Sequence, residues 1–450
     1  MSRVVVVGGG LAGITAALDC AEAGEEVTLV EVRRRLGGAA YSFEREGLHM
    51  DNGQHVFLRC CTAYRGLLER LGSTALVSLQ PRLEIPVLTP GRAPYRLQRS
   101  GLPAPAHLAN ALLRYPHLSI GERLGAARAA LALGRLELSD PALDEQTFGA
   151  WLARRGQGPR AVAALWDLIA LPTLNLPAAE ASLGLAAFVF QQGLLSSTGA
   201  GDIGFHVGTL QQIIGDPALA ALRQAGVEVR LGWRAERLER TEDGYRLEGR
   251  GGSGEESIDA TAAVVALPHD RANGLLAPLM GPLPELESSP IINLHILYDR
   301  CVLHEPFAAG VGTPVQYLFD RSAAGGAPAG MQYLAISLSG AAAEMQESVP
   351  ALRERYLAAM AELLPRARTA TVECFLVTRE HAATFRAAPG SAARRPPSRT
   401  RLPGLALAGT WTDTGWPATL ESAVLSGARA ARVVLGERAT TEATPVAVGR

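Results

Sequence analysis

The sequence contains no lysine. All 43 basic residues are arginines, and 44 acidic residues bring the formal net charge to -1. The protein therefore has no amine for a lysine Schiff base, no lysine general base and no P-loop lysine. The near-neutral charge argues against a nucleic-acid binder, which needs a basic face. The five cysteines include no C-x-x-C pair and are odd in number, which favours reduced thiols, and no metal-ligand spacing is present.

Long hydrophobic runs are also absent. No stretch of 18 or more residues is continuously apolar, so no transmembrane helix is expected. The apolar N-terminal run is interrupted by Gly8, Gly9 and Gly10 and has no cleavage site, which argues against a secretory leader. Apolar residues are nevertheless abundant, at 48% of 450 residues. This length suits two to three domains, and the apolar content leaves surface for a hydrophobic ligand or a membrane.

The first thirty residues carry a dinucleotide-binding pattern. Val4 to Val7 is a β-branched run typical of a buried parallel strand. It is followed by a G-x-G-x-x-G loop at Gly8 to Gly13, a predicted helix over Ile14 to Ala23 and a predicted strand over Val27 to Val30. Glu31 follows that strand, 18 residues after Gly13. The loop motif alone is a weak signal, but its strand–helix–strand–Glu context makes it a strong one.

Each part of this pattern has a physical role. Gly8 permits the tight turn, Gly10 lets a pyrophosphate approach the backbone, and Gly13 lets helix and strand pack closely. The N-terminal end of the predicted helix follows Leu11 and Ala12 and offers free N–H groups to an anion. Glu31 can accept hydrogen bonds from a ribose hydroxyl.

A second glycine-rich turn follows, in which Arg33-Arg34-Arg35 precedes Leu36-Gly37-Gly38. This arrangement resembles flavoproteins of the glutathione-reductase type. The resemblance implies FAD as the cofactor, with the second turn close to the extended FAD and an arginine paired with its diphosphate. Those flavoproteins usually carry arginine after the glycine pair, where this chain has Ala39. That contact is therefore either absent or supplied by Arg33 or Arg35.

The C-terminal region contains a matching segment. A buried strand is predicted over Leu405 to Ala408, and a helix over Thr419 to Leu435. The segment between them resembles the closing FAD segment of the amine-oxidase and phytoene-desaturase superfamily, with Thr410 where that superfamily usually has Asp. The resemblance implies that the helix N-terminus points at the pyrimidine end of the flavin, where its positive potential stabilises the anionic reduced form. Trp411 and Trp416 either belong to the core or contact the flavin ring or the substrate.

Between these two halves, further strands of the same domain are predicted over Ala225 to Arg230, Tyr245 to Glu248 and Ala263 to Leu267. The glycine-rich stretch Gly249 to Gly254 is expected to form a hairpin or loop, and not a second dinucleotide site. We therefore predict an α/β protein with a discontinuous Rossmann FAD-binding domain of the glutathione-reductase type. The predicted FAD-binding segments are 1–60, 205–288 and 395–436, the inserted α+β substrate domain comprises 61–204 and 289–394, and residues 437–450 form a disordered tail.

The inserted segments mix helices with strands. Residues 107–135 and 148–190 are predicted to be mostly helical, and strands are predicted over 291–298, 316–319, 331–338 and 371–377. The first helical block carries leucines with sparse arginines. This composition fits a helix pair on a bilayer surface, a lid or an ordinary amphipathic core helix.

Several further motifs carry a more specific resemblance. They are Asp51-Asn52-Gly53-Gln54-His55, Pro103-Ala104-Pro105 with His107-Leu108, Trp151-Leu152 with Gln157, Trp166, Leu174-Asn175, the segment from Ser289 to His295, and the segment from Thr412 to Thr419. Over nearly its full length the chain resembles the hydroxysqualene dehydroxylases, also described as squalene-associated FAD-dependent desaturases of bacterial hopanoid synthesis.

The resemblance implies that reduced FAD converts hydroxysqualene, a C30 isoprenoid alcohol, into squalene. Protonation of the allylic hydroxyl lets water leave, and flavin N5 delivers hydride to the resulting cation. The enzyme then needs an acid, an apolar tunnel and exclusion of water. Because no second dinucleotide motif is present, the reductant is expected to be transiently bound NAD(P)H or a ferredoxin-like donor. The expected location is the cytoplasm, either free or peripheral on the inner face of the cytoplasmic membrane.

Three residues are candidates for the acid: His55, Asp51 and Asp413. His55 titrates in the right range, whereas Asp51 could donate a proton only if burial raised its pKa. The structural alternatives are a core histidine for His55 and turn or loop caps for the two aspartates. A His55→Ala variant is expected to lose turnover and keep FAD. The residues expected at the cofactor are Gly8, Gly10, Leu11, Ala12, Gly13, Glu31, Val32, Arg33, Gly37, Gly38, Ala39, Gly53, Gln54, His55, Ala235, Gly409, Thr410, Trp416, Pro417, Ala418, Thr419 and Leu420.

Three other functions stay open at this point. A carotenoid-type desaturase would keep the fold and the cofactor and reverse the direction of electron flow. An amine oxidase is disfavoured, because many of these enzymes use a lysine that this chain lacks. A non-catalytic flavin-binding partner would bind FAD and turn over no isoprenoid.

Overall fold

The structure is a computed structural model that describes residues 3–252 and 254–436. The predicted disordered tail lies outside these residues. The strands are, in chain order, β1 (Arg3–Val7), β2 (Glu26–Glu31), β3 (Ser42–Arg45), β4 (Leu48–Asp51), β5 (Val56–Leu58), β6 (Val77–Leu79), β7 (Glu84–Leu88), β8 (Tyr95–Gln98), β9 (Ile203–His206), β10 (Glu228–Leu231), β11 (Arg234–Arg240), β12 (Tyr245–Gly251), β13 (Gly254–Ala260), β14 (Ala262–Val265), β15 (Ser288–Tyr298), β16 (Phe307–Gly310), β17 (Tyr317–Asp320), β18 (Gln332–Ser339), β19 (Val372–Phe385) and β20 (Leu405–Leu407).

Short 3-10 and π-helical turns connect the α-helices. The α-helices are α1 (Leu11–Glu22), α2 (Thr62–Arg70), α3 (Ala109–Leu113), α4 (Ile120–Leu133), α5 (Phe148–Arg154), α6 (Pro159–Ala161), α7 (Asp167–Leu174), α8 (Leu183–Phe190), α9 (Asp216–Gln224), α10 (His269–Met280), α11 (Ser322–Gly325), α12 (Val349–Leu363) and α13 (Leu420–Val434). The predicted helical block 107–135 is interrupted, because residues 114–119 separate α3 from α4.

The N-terminal motif belongs to a five-stranded parallel sheet with the order β10-β2-β1-β14-β20. β1 is covered on both faces, since Val4 and Val6 pack in one hydrophobic cluster and Val5 and Val7 in another. Helices α1 and α13 lie on the first face. This arrangement confirms the predicted α/β fold with a Rossmann-type FAD domain.

The opposite face of this sheet packs against α10 and a three-stranded antiparallel sheet, β11-β12-β13. Strands β12 and β13 form a hairpin in which Gly251 pairs with Gly254. The prediction of a hairpin or loop at Gly249 to Gly254 is therefore confirmed, with strand β12 extending further into it than expected.

A second, seven-stranded sheet has the order β19-β15-β18-β17-β16-β7-β8. It contains the four strands predicted for the substrate domain, together with β7, β8 and β16, which the sequence pattern did not predict. One face packs on α12, and helices α4, α5, α7 and α8 contribute to a separate helical core.

The three segments predicted to form the FAD domain supply all strands of the parallel sheet. Helix α2 lies beyond the predicted boundary at residue 60 and packs in the same core as β1, through Tyr64, Leu67 and Leu68. The boundaries of the two domains stay a prediction.

Candidate functional site

A cavity of about 1430 Å³ reaches from the loop after β1 to the seven-stranded sheet. The wall on the parallel-sheet side includes Gly8, Gly10 and Glu31, and the opposite wall includes Ile291 of β15 and Tyr317 of β17. The cavity therefore joins the predicted cofactor loops to the substrate-domain sheet.

The loop after β1 is shaped by close backbone contacts. Gly8 has φ +111°, and a Cβ atom there would lie 2.4 Å from the Ala266 carbonyl oxygen. A Cβ atom on Gly13 would lie 1.9 Å from the Gly8 oxygen. Gly13 is thus needed for helix–strand packing and does not line the cavity. At Gly10 the nearest atom to such a Cβ would be Gly38 Cα at 3.6 Å, which leaves the backbone approachable from the cavity.

The second glycine-rich turn packs directly against the first. The Gly37 N–H donates to the Gly9 carbonyl at 2.8 Å. A Cβ on Gly38 would lie 2.8 Å from Gly10 Cα, so no other residue fits without displacement. Of the two arginines considered for phosphate contact, Arg33 lines the cavity. Arg35 instead stacks its guanidinium on the Tyr41 ring at 3.5 Å.

Glu31 ties these loops together. Its Oε2 accepts from the Gly9 N–H at 2.7 Å, and its Oε1 accepts from the Arg33 N–H at 2.8 Å. The side chain is buried at the cavity wall. Each carboxylate oxygen can accept a further hydrogen bond, so Glu31 can still bind a ribose hydroxyl.

The C-terminal segment closes the same cavity at the N-terminus of α13. The Thr419 side chain caps this helix by accepting from the Ser422 N–H at 3.2 Å. Helix α13 packs closely on α1, since a Cβ on Gly427 would lie 2.2 Å from the Ala12 carbonyl oxygen. Leu420 and Glu421, in the first turn of α13, line the cavity, so this positive end of the helix lies at the cavity wall and suits an anionic cofactor.

Glu421 has a structural role that the sequence did not predict. This buried carboxylate accepts from the Ala63 N–H at 3.0 Å and from the Tyr64 N–H at 2.7 Å, so it caps the N-terminus of α2. Burial raises the pKa of Glu421. No local pattern announces this contact, because the partners come from opposite ends of the chain.

Near the cofactor loops, two polar atoms at the cavity wall are buried and have no hydrogen-bond partner among the described residues. They are Gln54 Nε2 and His55 Nδ1. Buried polar atoms without partners are uncommon and call for a ligand or water. Together with the open approach at Gly10, these atoms show that the residues present fit a polar, phosphate-bearing cofactor such as FAD.

With the exception of Gly13, every residue that the sequence predicts at the cofactor lines this cavity. These residues are Gly8, Gly10, Leu11, Ala12, Glu31, Val32, Arg33, Gly37, Gly38, Ala39, Gly53, Gln54, His55, Ala235, Gly409, Thr410, Trp416, Pro417, Ala418, Thr419 and Leu420.

A buried hydrogen-bonded chain holds the backbone of His55. The His206 Nδ1–H donates to the His55 carbonyl at 2.8 Å. His206 Nε2 then accepts from the Tyr64 hydroxyl at 2.8 Å, since a carbonyl can only accept and so fixes the tautomer. Burial lowers the pKa of His206 to about 3 and also lowers that of His55. His206 is therefore a neutral structural histidine, whereas His55 faces the cavity.

The structure does not bring the other two candidate acids to this cavity. Asp51 forms an ion pair with Arg321 at 2.7 Å and accepts from the Ser42 hydroxyl at 2.6 Å. It lines an adjoining cavity of about 430 Å³, whose wall also includes Gln54 and His55. Asp413 is exposed and accepts from the Gly415 N–H at 3.1 Å, as a loop cap does. Both aspartates thus have the contacts expected of the structural alternative, and their catalytic role stays a prediction.

Both tryptophans of the C-terminal segment reach the cavity. Trp411 is buried, and its indole N–H donates to the Leu267 carbonyl at 2.9 Å. Trp416 packs edge-on against Phe188, with ring centroids 5.1 Å apart. Trp411 thus belongs to the core and to the cavity wall at once.

Within residues 3–252 and 254–436, no helix is long and apolar enough to span a membrane. Across the same residues, no group of three or more His, Cys, Asp or Glu side chains is arranged to hold a metal ion.

A Rossmann-type sheet, its glycine-rich loops and the adjoining cavity, together with the family match, define an FAD-dependent oxidoreductase. The family model of flavin-containing amine oxidoreductases matches residues 11–435, and the chain belongs to this family. FAD is accordingly its cofactor.

Known proteins sharpen this assignment. The chain is 31% identical to the hydroxysqualene dehydroxylase of Rhodopseudomonas palustris, over 97% of this chain and 99% of that protein. It is 24% identical to a zeta-carotene desaturase of Synechocystis sp., over 99% of each. An oxidoreductase structure from Methanosarcina mazei matches with a TM-score of 0.73 at 16% identity, over 95% of this chain and 99% of that chain. The resemblance to hydroxysqualene dehydroxylases predicted from the motifs is confirmed.

Proposed function

We propose that the protein reduces hydroxysqualene to squalene with electrons from FAD. The observation that carries this proposal is the single cavity that continues from the cofactor loops to the seven-stranded sheet. Apolar side chains such as Leu168, Ile169 and Phe188 line it, which suits a C30 isoprenoid. The full-length similarity to a hydroxysqualene dehydroxylase supports the same substrate.

In this proposal the glycine-rich loops and the α13 N-terminus hold FAD. Glu31 binds a ribose hydroxyl, Arg33 pairs with the diphosphate, and Gln54 donates its unpartnered N–H to the cofactor. Reduced FAD supplies the hydride. The predicted FAD-binding segments 1–60, 205–288 and 395–436 contain all of these residues, and 61–204 with 289–394 supply the substrate walls.

The remaining chemistry falls to the protein. His55 lines the cavity with Nδ1 unpartnered, and in this proposal its ring gives a proton to the leaving hydroxyl. The apolar walls exclude water from the allylic cation that forms as the C–O bond breaks. Trp416 and Phe188 add aromatic faces to this part of the wall.

We further propose that the protein docks peripherally on an anionic bilayer through α4. Ile120, Leu124 and Leu131 form one exposed stripe, which we call the α4 outer face, and are 74%, 48% and 48% exposed. Arg128 and Arg135 are exposed on the same helix and the turn after it. An apolar stripe with adjacent arginines suits an anionic lipid surface.

The test uses the purified flavoprotein. Its flavin is reduced anaerobically with dithionite, excess reductant is removed, and hydroxysqualene is added, with squalene as the control. Squalene formation with reoxidation of the flavin supports the proposal. Bleaching of the oxidised flavin by squalene or phytoene would favour a desaturase, which the similarity to a zeta-carotene desaturase makes the second candidate. Bound FAD without turnover of any isoprenoid would indicate a non-catalytic partner.

A further inference from the structure

Asn293 lies in the middle of β15, on the face that borders the cavity. Its neighbours Ile292 and Leu294 point into the core beneath the sheet, while Ile291 and Asn293 line the cavity. Asn293 is 1% exposed, and its Oδ1 atom has no hydrogen-bond partner among the described residues. A buried acceptor without a partner is costly in a native structure and indicates a missing donor.

Two other carboxamides at the same wall use both their oxygen and their nitrogen in hydrogen bonds within the protein. Asn175 donates to Ser289 and Thr384 and accepts from the Gly340 N–H at 2.6 Å. Gln316 donates to the Ser339 carbonyl and accepts from its N–H, at 3.0 Å and 2.8 Å. These two side chains brace the backbone. The Asn293 side chain makes no such hydrogen bond to the backbone among the described residues, so its carboxamide is available to a ligand.

Polar groups lie across from Asn293 on both neighbouring strands, and one of them, Thr378 on β19, is already bonded to His295 Nε2 at 3.1 Å. Ser337 lies directly across from Asn293 on β18 and also lines the cavity. Tyr317 and Phe319 line the same region, and the Tyr317 hydroxyl is already bound to the Leu168 carbonyl at 2.9 Å. A small polar patch thus interrupts an otherwise largely apolar wall. A pure hydrocarbon would leave this patch unpaired.

We infer that Asn293 binds the hydroxyl group of an isoprenoid alcohol, with Oδ1 accepting a hydrogen bond from the substrate O–H. This inference rests on the proposed function and specifies how the site selects an alcohol over a hydrocarbon. A carboxamide does not donate a proton to a leaving group, so Asn293 positions the hydroxyl and leaves its oxygen lone pairs open to an acid. A site built to hydrogen-bond a hydroxyl rejects the analogue that lacks it.

The experiment measures binding to the oxidised holoenzyme, which cannot turn over hydroxysqualene. Hydroxysqualene and squalene are titrated in detergent micelles, and the perturbation of flavin absorbance gives both dissociation constants. Asn293→Val and Asn293→Thr form the matched pair, because they differ by a methyl group against a hydroxyl. Ile291→Val, on the same face of β15, controls for lost volume.

The wild type is expected to prefer hydroxysqualene by about tenfold or more, the value of one hydrogen bond. In Asn293→Val the ratio of the squalene to the hydroxysqualene dissociation constant should fall close to one. Asn293→Thr should retain part of the wild-type ratio, and Ile291→Val should leave the ratio unchanged. If Asn293→Val keeps the wild-type preference for hydroxysqualene over squalene, the inference about Asn293 is wrong and the proposed function is unaffected. A wild type that binds neither isoprenoid would overturn the proposed function as well. Should Asn293→Val lose its flavin, Asn293→Ala against Asn293→Ser makes the same comparison with smaller side chains.

Discussion

At the residue scale, the site separates residues that shape the cavity from residues that face it. The Asp51 carboxylate forms an ion pair with Arg321, and it accepts hydrogen bonds from the Ser42 hydroxyl and the Leu210 N–H. His55 has its backbone held by His206 and its ring nitrogen unpartnered. A residue whose main chain is held while its side chain faces the cavity is well placed to act on a substrate.

His55 yields a prediction for pH. Burial lowers its pKa, so the protonated ring is populated only below the ordinary histidine value of about 6.5. If His55 is the proton donor, single-turnover flavin reoxidation by hydroxysqualene should accelerate as the pH falls through the lowered pKa. His55→Ala should slow this step by roughly a hundredfold or more, abolish its pH dependence and retain FAD.

His117→Ala serves as the control. It removes a histidine that lies outside the cavity and whose pKa is also lowered by burial. An unchanged rate and pH profile in His55→Ala would exclude it as the acid.

At the element scale, α4 differs from an ordinary surface helix because it is apolar on two faces. Ala126, Ala129 and Leu133 pack into the helical core, while the α4 outer face points to solvent. A helix that is apolar on both sides normally lies between two apolar surroundings. Leu112, on the neighbouring helix α3, packs against a hydrophobic cluster that includes Leu168, a residue of the cavity wall. A bilayer at this face would therefore lie close to the substrate chamber.

We predict that the α4 outer face carries the membrane binding. Replacing Ile120, Leu124 and Leu131 together with Gln should lower co-sedimentation with vesicles of phosphatidylglycerol and phosphatidylcholine by at least about tenfold, because the buried apolar area is lost. Val349→Gln, an exposed apolar position on α12, should bind as the wild type does. Equal sedimentation of the triple variant would contradict the prediction. Loss of a dimer in place of lipid binding would show that the face joins two copies of the chain.

At the scale of the whole molecule, buried histidines couple stability to pH. Burial lowers the pKa of His295 to about 4 and that of His206 to about 3. In the unfolded chain both titrate near 6.5, so the unfolded state binds more protons below this pH. The stability that these two groups contribute is complete above about pH 6.5 and declines as the pH falls toward their folded values.

We therefore predict that the free energy of unfolding in urea falls between pH 6.5 and pH 4. Each buried histidine adds a slope of up to about 1.4 kcal/mol per pH unit. His295→Gln should remove its share of the slope, even though the loss of its bonds to Tyr333 and Thr378 lowers stability overall. His381→Gln, at an exposed position, should leave the slope unchanged. A flat profile for the wild type would contradict the prediction.

Much of the fold could be predicted because its signals are local. The valine run of β1, the glycine loop and the following helix lie within one short segment. The strand and the helix are recognised by the spacing of their apolar residues, and the loop by its glycines. Strands β7 and β16 were missed for equally local reasons. β7 contains Pro86, which argues against a strand, and β16 is a short segment that ends in Gly310.

The sequence by itself determined the Rossmann motif, FAD as the expected cofactor and a set of predicted cofactor residues that, except for Gly13, line one cavity. Only the tertiary structure decided which charged and polar groups are already satisfied. Arg321 lies 270 positions from Asp51, and Glu421 lies 358 positions from Ala63. No spacing in the chain encodes such pairs, because they form only when separate elements pack together. For the same reason, the unpartnered oxygen of Asn293 becomes visible only once its neighbours on both sides are in place.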